Sequence, residues 1–229
     1  IGARLYHEQD RTGDYIAYDY AYNILQSCDE NSILFTNGDN DTFPLWFLQE
    51  VEEVRRDVRV VNLSLLNTGW YIKQLRDREP KIDIRLSDNF IDSVLTDTQM
   101  VDLYKRIWFE PKVPKEFKDM GLDVEVSALP GHDLLRVQDI MIIGLIHWND
   151  WQRPINFAIT VAGQNRLNLD PYLRMEGMTM RLVPERDLGA DGERLAHNLF
   201  NVYQFRAATD PEVYKDDNTS RLLGNYHAC

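Results

Sequence analysis

Between Asp14 and Arg78 the apolar pattern changes period repeatedly, and that alternation restricts the chain to few folds. Tyr15, Tyr18, Tyr22 and Leu25 recur at helical spacing across 14–28. Ser32 to Thr36 is a short apolar run of the kind buried on both faces of a sheet. Phe43, Phe47, Val51 and Val54 then mark a helix face to about Arg55. Val58 to Leu63 is a second strand, rich in β-branched residues, and Asn67 and Thr68 can cap a helix from Gly69 to about Arg78. Helix–strand–helix–strand–helix implies a parallel sheet with helices over it. An apolar helix from Val137 to Trp148 leads to a third strand, Ile155 to Val161, with Pro154 at its opening, where proline is tolerated. Strands 32–36, 58–63 and 155–160 are therefore expected as parallel neighbours in one sheet. The fold class is α/β: a mostly parallel, Rossmann-like sheet with covering helices and a helical C-terminal part.

Other segments carry weaker patterns. Ile82 to Leu86 alternates, Asp97 to Trp108 has helical spacing, and Glu110 to Lys118 is a proline- and lysine-rich linker. Val124 to Val126 is expected as a short edge strand, and Pro171 to Met175 as a short helix. Met178 to Val183 should be extended, with helices near Glu193 to Tyr203 and from Pro211 onward. The whole of 1–229 is expected to be one α/β domain, a fragment of a longer membrane protein. Residues 210–229 would begin a helical extension.

The densest polar segment follows the first strand. Asn37, Asp39, Asn40, Asp41 and Thr42 surround Gly38, with Thr42 a candidate N-cap and Pro44 in the first helical turn. Ligand sites in open α/β sheets gather at the carboxyl ends of strands. Three readings of this loop stay open. The acids can cap backbone N–H groups in a tight turn. Asp39 and Asp41 can hold Ca²⁺ or Mg²⁺, since oxygen ligands suit hard cations. The loop can bind a ligand directly, sugar hydroxyls being one candidate. An EF-hand is excluded because a strand precedes the loop and Glu50 lies within the following helix. A phosphate cradle is excluded because there is one glycine, no following lysine and two carboxylates. Trp148 and Trp151 are a second candidate platform, for sugar or peptide. Asn40, Asn62 and Asn218 each open an N-glycosylation triplet, which for Asn62, in an expected buried strand, is a chance match.

Composition removes several classes. A net charge of −12 argues against a nucleic-acid partner, and no apolar run approaches the length of a membrane span. The two cysteines, Cys28 and Cys229, suit neither a disulfide framework nor a zinc site. No Ser-His-Asp arrangement can be built from the sequence.

Three stretches carry a resemblance: Phe35 to Val51 continuing through Asp57 to Thr68, Trp151 to Ala158, and Tyr172 to Gly177. They resemble a bacterial multi-span membrane family similar to the vertebrate protein O-mannosyltransferase that modifies plexins. The resemblance implies a GT-C-like glycosyltransferase using a polyprenyl-phosphate-linked sugar, with its active site in transmembrane helices. This chain would be the soluble extracytoplasmic (periplasmic) domain. It would position acceptor polypeptide or shape the donor site, with the transmembrane part of the same polypeptide as partner, no catalytic residue of its own and no cofactor expected. Two other readings remain open, a stand-alone binding or assembly module and a metal-dependent hydrolase centred on Asp39 and Asp41.

Overall fold

The computed structural model describes residues 10–94, 112–127 and 135–228. The helix expected at 97–108 lies outside them. The described residues form an α/β fold with a five-stranded mixed sheet, order β2-β1-β3-β5-β4. β1 (Ile33–Thr36) is central and pairs in parallel with β2 (Arg59–Asn62) on one side and β3 (Ile155–Ala158) on the other. This is the arrangement expected of the three apolar runs. Every residue of β1 and β3 is buried, so both sheet faces are covered. β5 (Thr179–Leu182) continues the sheet antiparallel to β3, and β4 (Leu173–Met175) closes the edge antiparallel to β5. The helix expected at Pro171 to Met175 is instead a single 3-10 turn, Asp170–Tyr172, running into β4. Three residues around Arg174 are too few to show a period of two.

α1 (Ile16–Gln26) and α2 (Asp39–Glu50) pack on each other. α3 (Gly69–Asp77) follows β2 and packs on the short α4 (Asp88–Val94). α5 (Lys115–Asp119) overlaps the end of the expected linker and packs on α6 (Val137–Asn149), the long apolar helix before β3. The β1-to-β2 and β2-to-β3 crossovers run in opposite directions across the sheet. The right-handed rule for such crossovers assigns α2 and α6 to opposite faces. The C-terminal part holds α7 (Gly192–His197), a π-helical turn (Asn198–Val202) and α8 (Asp217–Gly224), which packs on α1. Val124 to Val126 makes only an isolated bridge to Lys112, and Ile82 and Ile84 are buried without joining a strand.

Two helix faces differ from expectation. In α1 the core face is Ile16, Tyr20 and Ile24, while Tyr15 is exposed. In α2 most of the expected face lies outside, although Val54, beyond the helix, packs on the core. Phe43, Phe47 and Val51 are 54%, 47% and 62% exposed, and Asp41, Thr42, Leu45, Leu48 and Gln49 are buried. Polar side chains occupy the inner face because each finds an internal partner there. Gln49, for one, donates to the carbonyls of Arg55 (2.8 Å) and Val58 (2.6 Å). Phe43 and Phe47 are thereby left on the outside, while Trp46 packs partly buried on the core.

Candidate functional site

The sheet order reverses at β1, since β2 lies on one side and β3 on the other. The crevice beyond the carboxyl ends of β1 and β3 is therefore the topological switch point, where ligands bind in open α/β sheets. The 37–42 segment sits there. Gly38 turns the chain with φ +120, a conformation that side chains rarely adopt, and α2 begins at once with Asp39. Asp39, Asn40 and Asp41 thus occupy the first helical turn, where carboxylates favour the positive end of the helix. Thr42 is a buried residue of the helix and not its N-cap. Pro44 lies beyond the first turn, so the carbonyl of Asn40 lacks its helical donor.

Thr42 joins three elements. Its hydroxyl donates to the Gly38 carbonyl (2.6 Å), lies 2.8 Å from the Thr36 hydroxyl at the end of β1, and accepts from Asn62 Nδ2 (2.9 Å) at the end of β2. Asn62 is fully buried by this bond, which fits the chance reading of its glycosylation triplet. Asp41 reaches across the switch point. Its carboxylate accepts from the hydroxyl of Thr160, two residues past β3, at 2.5 Å. Asn37 crosses at a second place, accepting through Oδ1 from Asn165 Nδ2. Asn165 in turn accepts from Arg136 Nη1 (2.8 Å), and Arg136 forms a fork with Asp139 in the first turn of α6 (2.7 and 3.0 Å). Thr160, Asn165 and Arg136 carry no motif of their own. Only the strand order brings them to the loop.

Above these contacts lies a cleft of about 580 Å³. Asn37, Asp39, Asn40, Asp41 and Thr160 form one side, with Phe43 and Pro44 beside them. Asn218, Arg221, Leu222 and Asn225, from α8 and the turn after it, form the facing side. Asp39 and Asn40 are exposed, so their polar groups are free to meet a ligand. The cleft offers carboxylate, amide and hydroxyl groups beside one aromatic ring, a surface suited to hydrogen-bonding a polar, hydroxyl-bearing molecule.

The tryptophan platform is not part of it. Trp148 and Trp151 lie before β3, at the opposite end of the sheet from the 37–42 loop. Trp148 is partly buried, with its ring over Gly144, where an added Cβ would come within 2.9 Å of it. Trp151 stands in the turn that follows α6. Asp39 and Asp41 are the metal-ligand candidates, and among the described residues no group of three or more His, Cys, Asp or Glu side chains is placed to hold a metal.

Residues 17–106 and 112–198 match the model of TMEM260-associated domain 2. The chain belongs to the TMEM260-associated domain 2 family. No curated protein and no solved structure matches it. The matched stretch of this TMEM260-associated domain includes the three parallel strands, the 37–42 loop, Thr160 and Asn165; the α8 side of the cleft falls outside it. Among the described residues no helix is long and apolar enough to cross a membrane.

Burial raises the carboxyl of Asp41 above the ordinary value of 3.8, against the opposing pull of the Thr160 hydroxyl and the Asn37 backbone. Between 3.8 and the raised value the folded protein binds more protons than the unfolded chain. Stability therefore falls as pH rises through that window. Asp41→Asn removes this ionisation at nearly unchanged shape and keeps one acceptor oxygen for the Asn37 backbone or the Thr160 hydroxyl. Urea unfolding should show the variant gaining on the parent as pH climbs from 3.8 through the window, with a constant difference above it. A pH-independent difference would mean that Asp41 ionises as it does in the unfolded chain. Asp39→Ala, at an exposed position, should change stability by no more than about 0.5 kcal/mol.

Proposed function

We propose that this chain is a non-catalytic accessory domain of a protein O-mannosyltransferase of the TMEM260 kind. In this reading the parent protein is a bacterial GT-C-like membrane enzyme that draws on a polyprenyl-phosphate-linked sugar. The domain faces the periplasm, docks on the transmembrane part and presents an acceptor polypeptide. The Rossmann-like centre of the sheet supplies the binding place, with Asn37, Asp39, Asn40 and Asp41 meeting hydroxyl-bearing acceptor residues. The observation that carries the reading is the cleft at the switch point, where Asp41 and Thr160 join the loops after β1 and β3. Its lining of amide, carboxylate and hydroxyl groups suits a polar chain.

The test uses the full-length membrane protein. Asp39→Ala with Asn40→Ala, both at exposed positions, should raise the KM for acceptor by about tenfold, with kcat nearly unchanged, as expected when ground-state and transition-state binding are lost together. The isolated 229-residue chain should transfer no sugar. Unchanged KM in the variant would remove the cleft from acceptor binding, and transfer by the isolated chain would overturn the non-catalytic role. The second reading, an assembly module, draws on the exposed face of Phe43, Phe47 and Val51. It predicts loss of complex formation, with KM intact, when Phe47 and Val51, which lie outside the cleft lining, are made polar.

A further inference from the structure

On the other flank of α2, along the outer edge of β2, lies a second and larger cleft of about 720 Å³. Trp46, Trp70 and Tyr71 supply its aromatic surface, and Arg56, Arg59 and Arg78 its cationic groups, against two acids, Glu50 and Glu79. Trp70 is 58% exposed and stacks edge-on to Tyr71 at 5.5 Å. The cleft is a cationic island on a molecule of net charge −12.

Arg59 is the informative residue. It opens β2, is largely removed from water, and spends its Nη groups on the backbone carbonyls of Glu79 (3.3 Å) and Gln74 (3.1 Å). Its buried Nε has no acceptor, and among the described residues no carboxylate lies within ion-pair distance of it. Burial pulls its pKa below the usual arginine value. Glu50 and Glu79 act on Arg59 electrostatically but form no ion pair with it, and a partly desolvated guanidinium so placed gains from an anion that does. Arg78, exposed beside it, also lacks an ion-pair partner among the described residues, and Arg56 holds only the exposed Glu53 at 3.3 Å.

The sheet edge adds a main-chain donor. Arg59 and Leu63 donate toward β1, so the alternation turns the Val60 N–H outward to the cleft. A strand cannot simply be added here, because the Tyr71 hydroxyl accepts from Asn62 N–H (3.0 Å) and meets the Val60 carbonyl (3.3 Å). The edge is blunted, leaving one donor, and recognition must be led by side chains.

We infer that the β2-edge cleft, lined by Trp46, Trp70, Arg56, Arg59 and Arg78, binds an acidic segment of polypeptide. Its carboxylates answer the arginines, its apolar atoms lie on the two indoles, and one main-chain carbonyl meets Val60 N–H. Arginine forks are matched to carboxylate geometry, and charge complementarity sets the choice of partner. This site is separate from the switch-point cleft and does not rest on the function proposed there.

Fluorescence anisotropy with a labelled peptide of alternating glutamate and glycine tests it on the 229-residue chain, with a lysine–glycine peptide as counterpart. The glutamate peptide should bind at least about tenfold tighter than the lysine peptide, and more weakly as salt rises. Arg56→Glu with Arg78→Glu, both exposed, should lose that binding about tenfold with an unchanged melting curve. Trp70→Ala should weaken it severalfold. Equal or tighter binding of the lysine peptide, the result the overall charge alone favours, would overturn the proposal. So would full binding by the arginine variant. Complete displacement by inorganic phosphate at the peptide's own concentration would overturn it too, by making the site one for a small anion.

Discussion

Glu176→Ala is expected to destabilise the protein by about 3 kcal/mol. Glu176 follows β4 and is 0% exposed. Arg174 bonds to its Oε1, and Arg194 lies 2.7 Å from its Oε2. Arg194 also bridges to Asp29 at 2.6 Å, which Arg181 of β5 holds from the other side at 2.6 Å. The network ties both antiparallel strands and α7 to the end of α1. Removing Glu176 leaves Arg174 without its carboxylate, whereas Arg194 keeps Asp29. The usual loss on breaking a buried pair is about 3–5 kcal/mol. The low end applies because Arg174 and Arg194 keep 28% and 25% of their side-chain surface in water. Guanidinium-chloride unfolding reads the loss directly; a change below about 1 kcal/mol would place the network in the class of solvated surface pairs.

What the sequence disclosed follows from how each element is buried. β1, β2 and β3 are covered on both faces, so they appear as continuous apolar runs between polar loops, and their parallel pairing follows from the helices between them. β4 was illegible because Leu173–Met175 is short and follows Pro171. The α2 face is not legible because spacing does not say which of two apolar stripes faces inward: Leu45 and Leu48 are buried, Phe43, Phe47 and Val51 are not. Thr42 and Gln49 are inside by virtue of partners in β1, β2 and the 55–58 turn, and no local pattern reveals such partners. The same limit governs the site. Asn37 to Thr42 was conspicuous as a polar cluster at a strand end. Thr160, Asn165 and Arg136 are distant in the chain and reach the loop only through the sheet order. Trp148 and Trp151 lie at the other end of β3 and form no part of the cleft at the 37–42 loop.

Gly177→Ala is expected to cost more than any surface change, about 2–6 kcal/mol, from two sources that add. Gly177 lies between β4 and β5 with φ +145, where a side chain is strained whatever the space, worth roughly 1–3 kcal/mol. There is also no space. A Cβ would overlap the Tyr203 hydroxyl and come within 2.8 Å of Ser27 Oγ and 3.0 Å of Asn198 Nδ2. None of these can retreat freely. The Tyr203 hydroxyl accepts from the Met178 N–H at 2.8 Å and sits 2.5 Å from Ser27 Oγ, while Asn198 donates to the Glu176 carbonyl at 2.8 Å. The Tyr203 ring packs edge-on against Phe205 and Tyr226. Moving Tyr203 breaks the bonds joining the hairpin tip to α1, adding roughly 1–3 kcal/mol of overpacking. A loss of this size lowers the melting temperature by roughly 10 °C in a chain of this length. Tyr203→Phe with Gly177→Ala separates the two sources. Deleting the hydroxyl removes the overlap but leaves Ser27 Oγ at 2.8 Å from the methyl and the backbone strain, so Gly177→Ala should cost less in the Tyr203→Phe background than in the parent without becoming neutral. An equal cost in both backgrounds would take the Tyr203 hydroxyl out of the crowding, and no cost in the Phe background would mean that the positive φ is free.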